Sequence, residues 1–180
     1  MIKNNFIVIS GGPGAGKSSL LHALHQRGYS CMAEAGRAII KGRLGKGLSP
    51  RPDPASFAIE MFERDVLNFT VNLLQTIPVF FDRSLLDSAS LIQEADREYF
   101  RKIKPLLHSH RFCNKVFFAA PWKAIYQNDA ERDQSFETSV DIYERLLNWY
   151  RFQGYTAVIL PQVSIEERAD FILEELGLIS

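Results

Sequence analysis

Phe6-Ile7-Val8-Ile9-Ser10-Gly11-Gly12-Pro13-Gly14-Ala15-Gly16-Lys17-Ser18-Ser19-Leu20 reads as a buried strand, a glycine-rich loop and the start of a helix. Gly11, Gly16, Lys17 and Ser18 fill every fixed position of the pattern G-x-x-x-x-G-K-[ST]. The glycines let the backbone bend around an anion and turn successive N–H groups toward it, and the helix N-terminus adds a favourable dipole. Such a loop is a phosphate cradle, and Gly12, Gly14, Ala15, Gly16, Lys17, Ser18 and Ser19 are its candidate binding residues. Lys17 is placed to reach the outer phosphates of a nucleoside triphosphate, ATP or else GTP, and Ser18 to set its hydroxyl on Mg²⁺.

Outward from this loop, strand-like segments recur at Phe6–Ser10, Ser30–Glu34, Pro78–Asp82, Lys115–Ala119 and Thr156–Leu160, with helical patterns between them. That alternation predicts an α/β fold with a parallel sheet covered on both faces. The first helix is expected from about Gly16 to Gln26, stopping at Gly28. Residues 42–54 are so rich in Gly and Pro that a mobile basic loop is expected there. A long helix follows from Pro54 to about Gln75, with Ile59, Phe62, Val66, Phe69 and Leu73 on one face. A helical hairpin is expected over Ser84–Ala95 and Asp96–Leu107, and His108 and His110 are expected in the loop behind it, without the further ligands a metal site would want. A later helix carries Val140, Tyr143, Leu147 and Tyr150, and the last begins with the capping box Ser164-Ile165-Glu166-Glu167.

Asp82 ends the third strand, at the edge where α/β sheets bind ligands. Its carboxylate either holds Mg²⁺ through water or accepts the proton of an attacking hydroxyl. Arg83 beside it either binds a substrate anion or pairs with a neighbour. Glu34 closes the second strand and Arg37 lies one turn on, on the side where a second substrate sits. Glu34 can take hydrogen bonds from sugar hydroxyls and Arg37 can grip a phosphate or carboxylate, unless the two simply pair with each other. Glu60 and Arg64 are four apart and expected to pair on the surface. In the charged run Asn128–Gln134, Arg132 either swings over the phosphates as the terminal group moves or belongs to a solvated helix entry. Trp122 and Tyr126 are expected to be core rather than base-stacking residues.

The 180 residues suit one domain, and 21 basic against 21 acidic side chains give no net charge, which argues against nucleic acid or an anionic membrane as partner. Two isolated cysteines, Cys31 and Cys113, fit a reducing cytoplasm, and the apolar run before the loop is too short for a signal peptide or a membrane span. The expected partners are a nucleoside triphosphate and a small-molecule acceptor. The oligomeric state stays open.

Taken together, Ser10–Ser18, Glu34-Ala35-Gly36-Arg37, Phe81-Asp82-Arg83 and the 129–134 run resemble the small stand-alone AAA-like ATP-binding proteins related to the ribosylnicotinamide kinase domain of NadR. The likeness runs from Phe6 to about Leu176. It implies the three-layer P-loop fold of nucleoside and nucleotide kinases, with strand order 2-3-1-4-5 and an arginine-bearing lid over about 122–135. It also implies that Lys17 and Ser18 serve phosphate and Mg²⁺, that Glu34 and Arg37 face the acceptor, that Asp82 serves magnesium or the acceptor hydroxyl, and that Arg132 belongs to the lid. Where the NadR domain has an Asp-x-Asp type strand end, Arg83 and Ser84 follow Asp82 here, as in nucleotide kinases, which implies a phosphorylated or otherwise anionic acceptor. The expected activity is therefore small-molecule phosphotransfer. The alternative is a regulatory nucleotide switch, but Asn114-Lys115 lacks the carboxylate of a guanine-binding Asn-Lys-x-Asp, and Arg83 stands where an AAA+ motor usually has Glu.

Overall fold

The computed structural model describes residues 2–50, 52–126 and 135–179. Five parallel strands, β1 (Phe6–Gly11), β2 (Ser30–Met32), β3 (Val79–Asp82), β4 (Lys115–Ala119) and β5 (Thr156–Ile159), form one sheet in the order β2-β3-β1-β4-β5. Because every strand runs the same way, Gly11, Met32, Asp82 and Ala119 all end at one edge of the sheet. Register puts Ile9 beside Asp82 and Gly11 beside Ala119, so the phosphate loop leaves the sheet between the tips of β3 and β4.

The central strands are buried on both faces, and their alternation divides the core in two. Phe6, Val8, Val79, Phe81, Val116 and Phe118 face the larger core with α3 (Pro54–Val71), α4 (Leu85–Ala95), α5 (Arg97–Ser109) and α6 (Phe136–Phe152). Ile7, Ile9, Phe80 and Phe117 face α1 (Lys17–Gln26) and α7 (Ile165–Glu175) on the other side. Aromatic edges organise the larger core: Phe69 meets Phe6 and Phe112 at centroid distances of 5.0 Å each, both near perpendicular.

Helix starts follow the sequence signals closely. Asp53 caps α3 through Ser56 N, with Pro54 in the first turn, and Ser84 and Ser164 open α4 and α7 with capping boxes. Four expectations need correction. A helix α2 (Ala35–Leu44) occupies the first part of the glycine-rich stretch, so Gly42 and Arg43 are helical; propensity disfavours Gly there, but packing of α2 against α3 overrides it. The second strand stops at Met32, and Glu34 is the N-cap residue of α2 rather than a strand residue. His108 lies in the last turn of α5 and the His110 ring packs against Phe69 at 4.9 Å, and no metal-binding cluster occurs among the described residues. Glu60 takes Arg43 as its partner at 2.8 Å, across α2 and α3, rather than Arg64.

Among the described residues no helix is long and apolar enough to cross a membrane. Phe69 of α3, 1% exposed, packs its ring against Phe6 of β1 and Phe112 on the approach to β4. Phe69→Ala is expected to lower the unfolding free energy by about 3 to 5 kcal/mol, read from urea denaturation; a loss below about 1 kcal/mol would show that this aromatic cluster is not the centre of the core.

Candidate active site

The loop between β1 and α1 adopts the shape its glycines allow. Gly16 has φ +79° as the residue preceding α1, a conformation that costs an L side chain about 1 kcal/mol or more. At Gly12 the limit is space: a Cβ would stand 2.4 Å from the Ser139 carbonyl oxygen of α6. Ser139, fully buried, also donates to the Pro13 carbonyl at 2.6 Å, so α6 holds the loop from one side. From α7, Arg168 reaches Ala15 O at 3.1 Å although it is only 2% exposed. Burial lowers the pKa of this guanidinium, and its Nε is one of the few buried polar atoms without a partner. Arg168 is thus a positive charge held beneath the phosphate loop, a role that no motif in the sequence signals.

Gly14, Ala15, Gly16, Lys17, Ser18, Ser19 and Arg37 line one small cavity. Lys17 is 5% exposed and its Nζ donates to Gly12 O at 2.7 Å, so the ammonium lies across the cradle's mouth. Ser18 Oγ donates to Asp82 Oδ2 at 3.3 Å, while Asp82 Oδ1 is buried without a partner. Burial raises the Asp82 pKa, and the nearby Lys17 ammonium opposes the rise. A hydroxyl and a carboxylate with an unused buried lone pair are the hard oxygen donors that Mg²⁺ takes, so these two residues fit that ion.

A second, larger cavity of about 390 Å³ adjoins the loop, with Pro13, Glu34, Arg37, Asp65, Arg83 and Ser88 among its lining residues. Phe57, Met61 and Asp65 come from one face of α3 at i, i+4 and i+8, and Leu91, Ile142 and Leu146 add apolar surface from α4 and α6. Gly36 lets α2 approach α3, since a Cβ there would lie 3.1 Å from Met61 Sδ. Arg37 lines both cavities, which makes it the side chain between the phosphate loop and the larger pocket.

Arg83 is the non-glycine residue with positive φ, +67°, among those described, a local strain of about 1 kcal/mol or more. Its guanidinium bonds to Glu34 Oε1 at 3.0 Å and to Asp87 Oδ1 at 3.2 Å. Burial works against its charge, but Glu34, Asp87 and Asp82 outweigh burial and raise its pKa. Arg83 thus pairs with its neighbours and lines the larger cavity at the same time. Glu34 also lies 3.6 Å from Arg37, so the Glu34–Arg37 pair exists and faces the pocket at the same time.

Beneath these residues Asp87, the capping-box partner of Ser84, takes four donors: Ser10 Oγ at 2.6 Å, Arg83 Nη1, Ser84 N at 3.0 Å and Tyr150 OH at 2.5 Å. Ser84 Oγ bonds Tyr150 OH at 2.7 Å, which closes the network, and burial together with Asp87 holds the Tyr150 pKa well above its usual value. Arg132 and the rest of the charged run, residues 127–134, lie outside the described residues. Trp122 and Tyr126 are half-buried and belong to neither core, with Tyr126 against Gly14 and edge-on to Phe136. Asp87→Ala leaves Tyr150, Ser10 and Arg83 without their acceptor, and the expected loss is about 3 to 5 kcal/mol in chemical denaturation. A loss under about 1 kcal/mol would reduce Asp87 to a helix cap.

Solved structures share this architecture. Deoxyadenosine kinase from M. mycoides with bound dATP superposes with a TM-score of 0.69 at 13% identity, over 96% of this chain and 99% of that one. The NadR protein in complex with NR gives 0.70 at 16% identity over 96% of this chain, and the NadR protein with NAD and AMP-PNP gives 0.67 at 14% over 97%. This chain spans about half the length of those NadR chains, 51% and 50%. At such identities the likeness establishes the P-loop, nucleotide-kinase-like fold and no more. No curated protein matches the sequence. A family model described as an AAA domain matches residues 6–168, nearly the whole chain, and on that match this protein belongs to the AAA domain family.

Proposed function

We propose that this protein is an ATP-binding P-loop phosphotransferase acting on a small-molecule acceptor. The observation that carries the reading is the pair of adjoining cavities that share Arg37: one lined by the phosphate loop, the other by Glu34, Asp65 and Arg83. A switch that only bound and hydrolysed a nucleotide would need the first and not the second. The larger pocket, mostly apolar with a few convergent polar groups, has the make-up of a small-molecule site.

In this reading the loop amides and Lys17 hold the triphosphate, and Arg37 neutralises charge on the group passing between the cavities. Bound Mg²⁺ would supply charge neutralisation at the phosphates, held by Ser18 and Asp82. Asp82 is 5% exposed and does not line the larger pocket, so the acceptor hydroxyl falls to Glu34, which does. Arg83 orients Glu34, whose carboxylate accepts the hydroxyl's hydrogen bond as the hydroxyl oxygen attacks. Closure over the site would exclude water and so favour transfer to the acceptor over hydrolysis.

Three measurements in a coupled ATPase assay test this. Lys17→Ala is expected to lower turnover by about 100-fold or more. Glu34→Ala should raise the acceptor KM while the ATP KM stays within about threefold. Turnover should rise steeply when the right member of a nucleoside, nucleotide and vitamin panel is added. A flat response across the panel with intact ATP binding would favour the nucleotide switch.

A further inference from the structure

Asp65 sits in the middle of α3 with its side chain in the larger pocket, 7% exposed. One carboxylate oxygen, Oδ2, accepts a hydrogen bond from Ser88 Oγ of α4 at 2.5 Å. The other, Oδ1, bonds to no described residue and is not sealed from solvent, so it faces the cavity that the residue lines. No cation pairs with Asp65 among the described residues. The remaining charges around the pocket are already matched: Arg83 with Glu34 and Asp87, Arg37 with Glu34, and Arg145 with Glu94 at 2.6 Å.

That balance decides what the pocket can take. An anionic acceptor, expected from the Asp82-Arg83 strand end, would find the Arg83 guanidinium bound by two carboxylates and Glu34 on the wall beside the phosphate loop. A planar uncharged ring fits better between Phe57, Met61, Leu91 and Leu146, with one polar group, Oδ1 of Asp65, presented to its edge.

Resting on the reading of this cavity as the acceptor site, we propose that Asp65 selects the acceptor: its protonated carboxyl, steadied by Ser88, pairs with the amide or amidine edge of an uncharged nucleoside base. Asp65 is a specificity residue, distant in role from Glu34 and the phosphate loop. With Ser88 donating to Oδ2, the proton sits on Oδ1 and is donated to a ring nitrogen or carbonyl of the base, while Oδ2 has a lone pair left for an adjacent N–H.

Several groups surround the Asp65 carboxyl. Burial from the α3–α4 packing raises its pKa most; Ser88 lowers it, Asp87 on α4 and Glu34 before α2 raise it, and Arg83 at the β3–α4 turn lowers it. Arg145 of α6 and Arg37 of α2 line the same cavity and are matched by acids. The balance lies at about 8, so the proton is present at neutral pH and lost as pH rises through that value. Ionised Asp65 would present two acceptors and repel the ring nitrogen or carbonyl it formerly served.

Calorimetric titration of the full chain with the common ribo- and deoxyribonucleosides, and with their 5′-monophosphates, at pH 6.5 and 9 tests this. At least one nucleoside should bind the wild type about tenfold more tightly at pH 6.5 than at pH 9, as expected from one unit of pH above the midpoint. Asp65→Asn keeps the size and neutral hydrogen-bonding groups, so it should hold the same affinity at both pH values. Asp65→Leu should weaken nucleoside binding at least about tenfold with ATP affinity unchanged. Failure of every nucleoside to bind, binding that does not vary with pH, an Asn variant that keeps the wild-type slope, or tighter binding of the 5′-monophosphates would overturn the proposal. Affinity that rises with pH would also overturn it, because a cationic acceptor pairs with ionised Asp65. Nucleoside binding with the expected pH dependence but no stimulation of ATP turnover would remove the phosphotransferase reading and leave Asp65 its role. Phosphorylation of a nucleoside that is indifferent to both substitutions would do the reverse.

Discussion

The site depends on one buried carboxylate. Asp87 accepts hydrogen bonds from Ser10 at the end of β1, from Arg83 and Ser84 as the chain leaves β3, and from Tyr150 of α6. A carboxylate is stable in so dry a place only when donors surround it, and the donors here arrive on three separate segments of backbone. The requirement runs both ways: Asp87 fixes where β1 releases the phosphate loop, where α4 begins and how α6 lies across them. Arg83 can then sit in a left-handed conformation, because two carboxylates hold its guanidinium and offset the local strain.

Around that anchor, charge is separated by function. The phosphate loop collects positive potential from Lys17 within the cradle, Arg37 beside it and Arg168 behind it, which suits the polyanion the loop is shaped for. The arginines lining the larger pocket are each paired with an acid, and among the described residues Asp65 has no cation partner. Desolvation therefore acts differently on neighbouring acids. Burial raises the pKa of both, but beside Asp82 the Lys17 ammonium and Ser18 oppose the rise and one oxygen is left for a metal, whereas Asp65 has a hydrogen bond from Ser88 alone.

Much of this was legible in the chain because the signals are local. Phe6–Ser10, Val79–Asp82 and Lys115–Ala119 are short apolar runs of strand length with turn or loop signals around them. Ser164-x-x-Glu167 is a capping pair that needs only four residues to recognise. The elements missed are those decided at a distance. Helix α2 passes through Gly42 because its partner α3, through Met61 and Phe57, supplies packing that composition does not show. Glu60 lies four residues from Arg64, yet it pairs with Arg43 of the neighbouring helix, where α2 and α3 face each other.

The sequence by itself determined the phosphate loop, the parallel α/β alternation and the acids and bases at the strand tips, since each follows from residue type and spacing within a few positions. Only the tertiary structure decided what those charges do. Ser88 meets Asp65, Glu34 meets Arg83, Ser10 meets Asp87 and Arg168 meets the Ala15 carbonyl across 23 to 153 residues of chain. An ionisable group takes its state from the dielectric and the charges within a few ångströms, and in a folded chain those neighbours are set by packing rather than by order along the backbone.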